Sequence, residues 1–122
     1  MPLRIAALVL LTSIPMLADL TGRWTASGEE VFVLRQQGNS VTGEIIVPGD
    51  RTYKIVDGVV RGNEIYFFVL HDAVDDPEVV ANGGNAFHNT AKGTFTENEI
   101  TVSGSRENTR INEYRMVLRR IK

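Results

Sequence analysis

The sequence predicts an all-β protein, a single eight-stranded antiparallel up-and-down β-barrel. Three observations predict it. Short runs of β-branched and aromatic residues recur through residues 19–122, each closed by Gly, Asn, Asp or Pro turn chemistry. The runs return about every 11 residues, inside the roughly 8–12 spacing of all-β sandwiches and barrels. No stretch sustains a helical apolar period, so no helix is predicted. Short connections favour pairing of sequential strands, and eight such strands close on themselves, which abolishes exposed edges. A two-sheet β-sandwich is the alternative architecture.

The elements follow in order. Gly22 to Ala26 is the first strand, and Glu30 to Arg35 the second, closed by Gln37-Gly38-Asn39-Ser40. Val41 to Val47 ends at Pro48-Gly49-Asp50. The run from Thr52 to Val60 contains Asp57-Gly58, read as a β-bulge because the strand pattern continues on both sides. Ile65 to Leu70 is apolar without interruption. After a long connection at 72–86, Phe87 to Thr96 alternates, with Phe87, Ala91, Gly93 and Phe95 on one face and His88, Thr90, Lys92 and Thr94 on the other. Ile100 to Ser105 and Ile111 to Ile121 complete the set.

Composition narrows the function classes. A chain of 122 residues, 43% apolar and 23% charged, is one ordinary globular domain. A net charge of −2 with no basic cluster argues against a nucleic-acid partner. With no cysteine there is no disulfide, thiolate nucleophile or zinc–sulfur site. Residues 1–18 read as a secretory signal peptide: Arg4, the apolar run Ile5 to Leu11, then Thr12-Ser13-Ile14-Pro15 and a cleavage point after Ala18. The run is too short for a membrane span, and a buried N-terminal helix or uncleaved anchor is the alternative. Residues 19–122 are then a secreted or periplasmic barrel domain, with no membrane span after cleavage.

At Asp19-Leu20-Thr21-Gly22-Arg23-Trp24 the chain resembles the opening of the calycin barrels, the lipocalin-like and avidin-like families, whose first strand carries Gly-x-Trp. The resemblance reaches the far end of the chain, where those families often place an Arg on the last strand. Arg120 shares a face with Met116 and Leu118 and is the candidate, rather than Arg119. The resemblance implies that Gly22, Trp24 and Arg120 close one barrel end, with a guanidinium over an indole across neighbouring strands. The pattern is also similar to uncharacterised secreted bacterial domains of lipocalin-like type. Avidin-like biotin binding is disfavoured, since those sites are walled by several tryptophans and Trp24 is the only one here.

Ionisable candidates are few. His88 falls on the polar face of its strand, whereas His71 shares a face with Ile65, Phe67 and Val69, so the two are not expected to act together. Asp72, Asp75, Asp76 and Glu78 lack calcium-loop spacing and read as a solvated charged loop. No catalytic motif is present, and neither a metal nor another cofactor is expected. The first functional expectation is a non-enzymatic barrel that binds a small apolar or amphipathic molecule. Its inward candidates are Phe32, Ile45, Tyr53, Phe67, His71, Phe87 and Asn89. A protein-binding module, such as an inhibitor of an extracytoplasmic enzyme, is the second reading, and a cyclase- or isomerase-like barrel the third. The 72–86 segment could serve as a lid through Val79-Val80-Ala81 or as a surface excursion. An outer apolar patch of Ile46, Val56, Val60, Tyr66, Phe68 and Leu70 is expected to be covered by that segment, a second copy of the chain or another protein.

Overall fold

A computed structural model describes residues 19–107, 109–110 and 113–122. The signal sequence expected over residues 1–18 lies outside them, as does Ile111, the expected start of the last strand. Eight strands form a closed antiparallel barrel in sequence order: β1 Gly22–Thr25, β2 Val31–Gln37, β3 Ser40–Val47, β4 Arg51–Arg61, β5 Glu64–His71, β6 Phe87–Phe95, β7 Glu99–Arg106 and β8 Tyr114–Arg120. Closure comes from β1 pairing with β8, where Trp24 faces Arg120 and Thr25 faces Arg119. Inward positions of each strand fill the core, as the alternation of apolar and polar residues requires.

One correction concerns side-chain parity. Val60 was expected on the outer surface but is 1% exposed, while Val59 is 39% exposed. The cause is the bulge. Asp57 adopts a left-handed φ of 54°, and the β4–β5 register shifts between Val56 and Val59. One extra residue turns the rest of the strand over, so Ile55, Gly58 and Val60 all point inward. Position 58 has no room for a larger residue, because a Cβ there would lie 2.3 Å from the Val41 carbonyl oxygen. The expected outer patch is therefore reduced. Tyr66 stays exposed beside its cross-strand partner Val59, Val56 and Phe68 are half-buried opposite each other, and Leu70 is half-buried against His88. Ile46 lies at the opposite end of the barrel from Val59 and Tyr66.

A second correction is a helix where none was expected. Among the described residues it is the only one: α1, Pro77–Ala81, inside the β5–β6 connection. Its start is chemically ordinary. Asp76 is the N-cap, its carboxylate accepting the Glu78 N–H at 3.0 Å, with Pro77 in the first turn. Val79 is buried, so the helix packs down rather than standing off the surface. Arg51 binds Asp75 at 3.2 Å on one side, and Arg106 reaches Asn82 at 3.4 Å on the other, tying the segment to β4 and β7. None of the helices among the described residues is long and apolar enough to cross a membrane.

The two barrel ends differ. At the end carrying the β2–β3, β4–β5 and β6–β7 turns the interior is packed solid by Leu20, Trp24, Val41, Val60, Ile65 and Ile100, each at most 1% exposed. The Trp24 indole N–H donates to the Leu20 carbonyl at 2.9 Å, so its one polar group is satisfied inside the core. The Arg120 guanidinium covers this plug, its Cζ 4.4 Å from the Trp24 ring. It donates to the backbone carbonyls of Glu97 at 2.8 Å and Thr21 at 3.1 Å, and also to that of Asp19. Gly22 holds a φ of 144°, which favours glycine, and a Cβ there would also stand 3.0 Å from the same guanidinium.

Candidate functional site

The other half of the barrel is hollow. A cavity of about 460 Å3 opens towards the end where the β1–β2, β3–β4, β5–β6 and β7–β8 connections gather. Phe32 and Ile45 wall one side and Phe67 and Val69 another, with Val47, Val102 and Met116 between. Outer grooves of comparable volume exist, for example the one of about 350 Å3 between Glu64, Lys92, Thr101 and Arg115. That groove is lined mainly by solvent-facing side chains, whereas the interior cavity is built from inward positions of seven strands together with the β1–β2 loop.

Six of the seven residues expected to face inward line this cavity: Phe32, Ile45, Tyr53, Phe67, His71 and Asn89. Phe87 does not. As the first residue of β6 it sits at the rim, where its ring stacks on His71 at 4.7 Å and 4° and meets the Arg106 guanidinium at 4.1 Å. Phe87 therefore backs His71 rather than facing the cavity. Sequence reasoning missed the remaining lining residues, among them Glu30, Tyr114 and Met116. Two of these were within reach, because Tyr114 and Met116 share the parity of Leu118 and Arg120 on β8.

His71 is the polar hub of the site. It ends β5, is 5% exposed, and its ring lies 4.4 Å from that of Tyr53. The Asn89 amide nitrogen stands 3.1 Å from Nε2 and Asp76 Oδ2 stands 3.0 Å from Nδ1, a pair of partners that assigns the ring proton to Nδ1, donating to Asp76, with Nε2 accepting from Asn89. Glu78 Oε2 stands 3.2 Å from the same Nδ1. Asp76 is 0% exposed, which corrects the expectation of a solvated acidic loop for this residue. Burial alone would raise its pKa. The Glu78 backbone N–H and the His71 hydrogen bond outweigh burial and hold Asp76 below the usual carboxylate range. Burial and the neighbouring Asp76 charge push the Tyr53 hydroxyl up. His88 is on the outside, near Phe68 at 5.6 Å and Glu107 at 3.4 Å, so the two histidines are separate as expected.

The remaining polar groups of the cavity are mostly committed. Tyr114 donates to the Thr90 carbonyl at 3.0 Å, and burial pushes its pKa up to about 12. Glu30 is subject to burial, which would raise it. The Ser27 hydroxyl and the Ser27 and Ala26 backbone N–H groups prevail and bring it down to about 2. Asn89 Oδ1 is different, being buried with no hydrogen-bond partner. The arrangement is thus a largely apolar cup with one polar wall at Tyr53, His71 and Asn89. No family model, curated protein or solved structure matches the chain.

Proposed function

We propose that this protein binds a small amphipathic molecule inside the barrel, as a non-enzymatic, lipocalin-like carrier or scavenger acting outside the cytoplasm. The observation that carries the reading is the cavity of about 460 Å3, apolar on most sides and polar at one wall. That volume lies in the range of roughly 300–1,000 Å3 typical of small-molecule sites, which combine an apolar lining with a few placed polar groups. The apolar body of the ligand rests against Phe32, Ile45, Val69 and Met116, and its polar end meets Tyr53, His71 or Asn89. The extracytoplasmic setting rests on the apolar run Ile5 to Leu11 behind Arg4. The likeness to lipocalins rests on Gly22, Trp24 and Arg120 at the plugged end.

Binding is favoured over proton-transfer catalysis by the state of His71. Both ring nitrogens already have protein partners, so no free lone pair faces the cavity as a general base. The test uses a neutral fluorescent long-chain amphiphile titrated into the purified protein. One-to-one binding is expected, and Val47→Trp, which fills the open half, should abolish it while leaving the circular dichroism spectrum unchanged. The reading falls if no amphiphile in a chain-length series saturates at one per protein, or if Val47→Trp binds as well as the parent.

A further inference from the structure

We propose that His71, Asp76 and Glu78 form a site for one divalent transition-metal ion at the barrel mouth. This goes beyond ligand binding in the cavity and does not depend on it. The three residues offer Nδ1, Oδ2 and Oε2, all within 4.8 Å of one another. Local structure brings them together. His71 ends β5 pointing inward, and four residues of loop return the chain to Asp76, the cap of α1. Capping occupies Asp76 Oδ1 with the Glu78 N–H and leaves Oδ2 directed at Nδ1, 3.0 Å away. The same turn of helix carries the Glu78 carboxylate to 3.2 Å from that nitrogen.

Two carboxylate oxygens thus converge on one ring nitrogen, which holds at most one proton. The bond to Asp76 uses that proton, and Glu78 has none to accept. A cation bound at roughly 2.0–2.2 Å from each donor answers this geometry, since donors on a common ion then stand roughly 3 Å or slightly more apart. An imidazole with two carboxylates suits zinc, manganese, cobalt or nickel better than calcium, which prefers oxygen alone. Arg51 is turned aside to Asp75 at 3.2 Å.

Asn89 is placed to support the ligating ring from its other side. Its Oδ1 is buried without a partner while its Nδ2 faces His71 Nε2. Metal on Nδ1 shifts the ring proton to Nε2, and a half-turn of the carboxamide then gives Oδ1 that proton to accept. Metal-bound histidines generally donate their second N–H to such an acceptor. Phe87 and Tyr53 pack on the ring and hold its plane. The 44% exposed side chain of Glu78 offers the entry path. The sequence has no cysteine and no ligand-spaced histidine pair, so no metal was expected from it; the fold brings the buried Asp76 to His71 instead.

The test takes purified protein free of any histidine tag and stripped with chelator. Zinc, manganese, cobalt and nickel are titrated separately by calorimetry. At least one should bind at one ion per chain, with Glu78→Gln weakening it by about tenfold or more, His71→Gln abolishing it and His88→Ala leaving it unchanged. Glu78 is exposed enough that its substitution preserves the fold, so a failure of His71→Gln to fold does not blunt the test. Histidine 15N chemical shifts should move at Nδ1 of His71. The proposal is overturned if none of the four ions binds stoichiometrically, if Glu78→Gln binds as tightly as the parent, or if His88→Ala removes the binding.

Discussion

Arg120 lies directly across the β1–β8 seam from Trp24, with its guanidinium carbon 4.4 Å from the indole centre. One cation therefore does two things: it covers the aromatic plug and it ties down three backbone carbonyls. Trp24→Ala should cost about 3–5 kcal/mol as a large-to-small change in a closely packed core. Arg120→Met keeps much of the side-chain volume but abandons the charge-assisted bonds, and should cost about 2 kcal/mol. Urea unfolding of both variants checks the pair. Because the residues touch, the double variant should lose less than the sum of the two.

The bulge in β4 predicts opposite responses from adjacent residues. Val60→Asp places a carboxylate in the sealed half of the barrel and should cost more than about 3 kcal/mol. Val59→Asp faces water and should change stability by less than about 1 kcal/mol. Gly58→Ala forces a methyl against the Val41 carbonyl and should cost about 2 kcal/mol. Thermal melts of the three proteins are the measurement, and equal behaviour of Val59→Asp and Val60→Asp would contradict the parity described.

Glu30 predicts a contribution to acid sensitivity. Its folded pKa, about 2, lies below the unfolded value of 4.5, so its stabilisation is present above pH 4.5 and is lost as the pH falls towards 2. Allowing for partial solvent screening, the effect is on the order of 2 kcal/mol. Glu30→Gln should be less stable than the parent at pH 7, and the gap should close between pH 4.5 and 2. Denaturation midpoints measured across that window give the answer.

Asp75 and Asp76 are neighbours in sequence with different expected costs. Asp76→Ala removes the helix cap and the buried partner of His71, and should cost about 2–3 kcal/mol. Asp75→Ala breaks a surface pair with Arg51, and should cost about 0–1 kcal/mol. Chemical denaturation in chelator distinguishes them without any contribution from bound metal.

The barrel was legible because its signals are local. Alternation within each strand and turn residues between strands specify inward faces one strand at a time, and six of seven predicted inward residues reached the cavity. What failed was parity across Asp57-Gly58. Recognising a bulge is not the same as carrying its extra residue through to Val60. The short helix had a readable start in Asp76-Pro77-Glu78, a capping residue, a proline at the first turn and an acidic residue beside the dipole. It was missed because five residues are too few to show a helical period. The meeting of His71 with Asp76 could not be read from spacing, since it depends on how the loop between them folds back over the mouth.

The β1–β8 seam has a consequence for how the chain reaches its folded form. Seven of the eight pairings join strands adjacent in sequence and can form as hairpins, most of them across short loops and β5–β6 across the longer 72–86 connection. The eighth joins Trp24 to Arg120, and it cannot form until β8 has been synthesised. A contact of such high sequence separation is the slow kind, because its ordering entropy is spent before its energy is recovered. Until then β1 and β8 are open edges, and the indole lacks its cover. Refolding followed by tryptophan fluorescence should therefore register closure as a late event, after hairpin structure has appeared in the far-ultraviolet signal. The interval between those two phases is when the chain is most exposed to edge-to-edge association with its own copies.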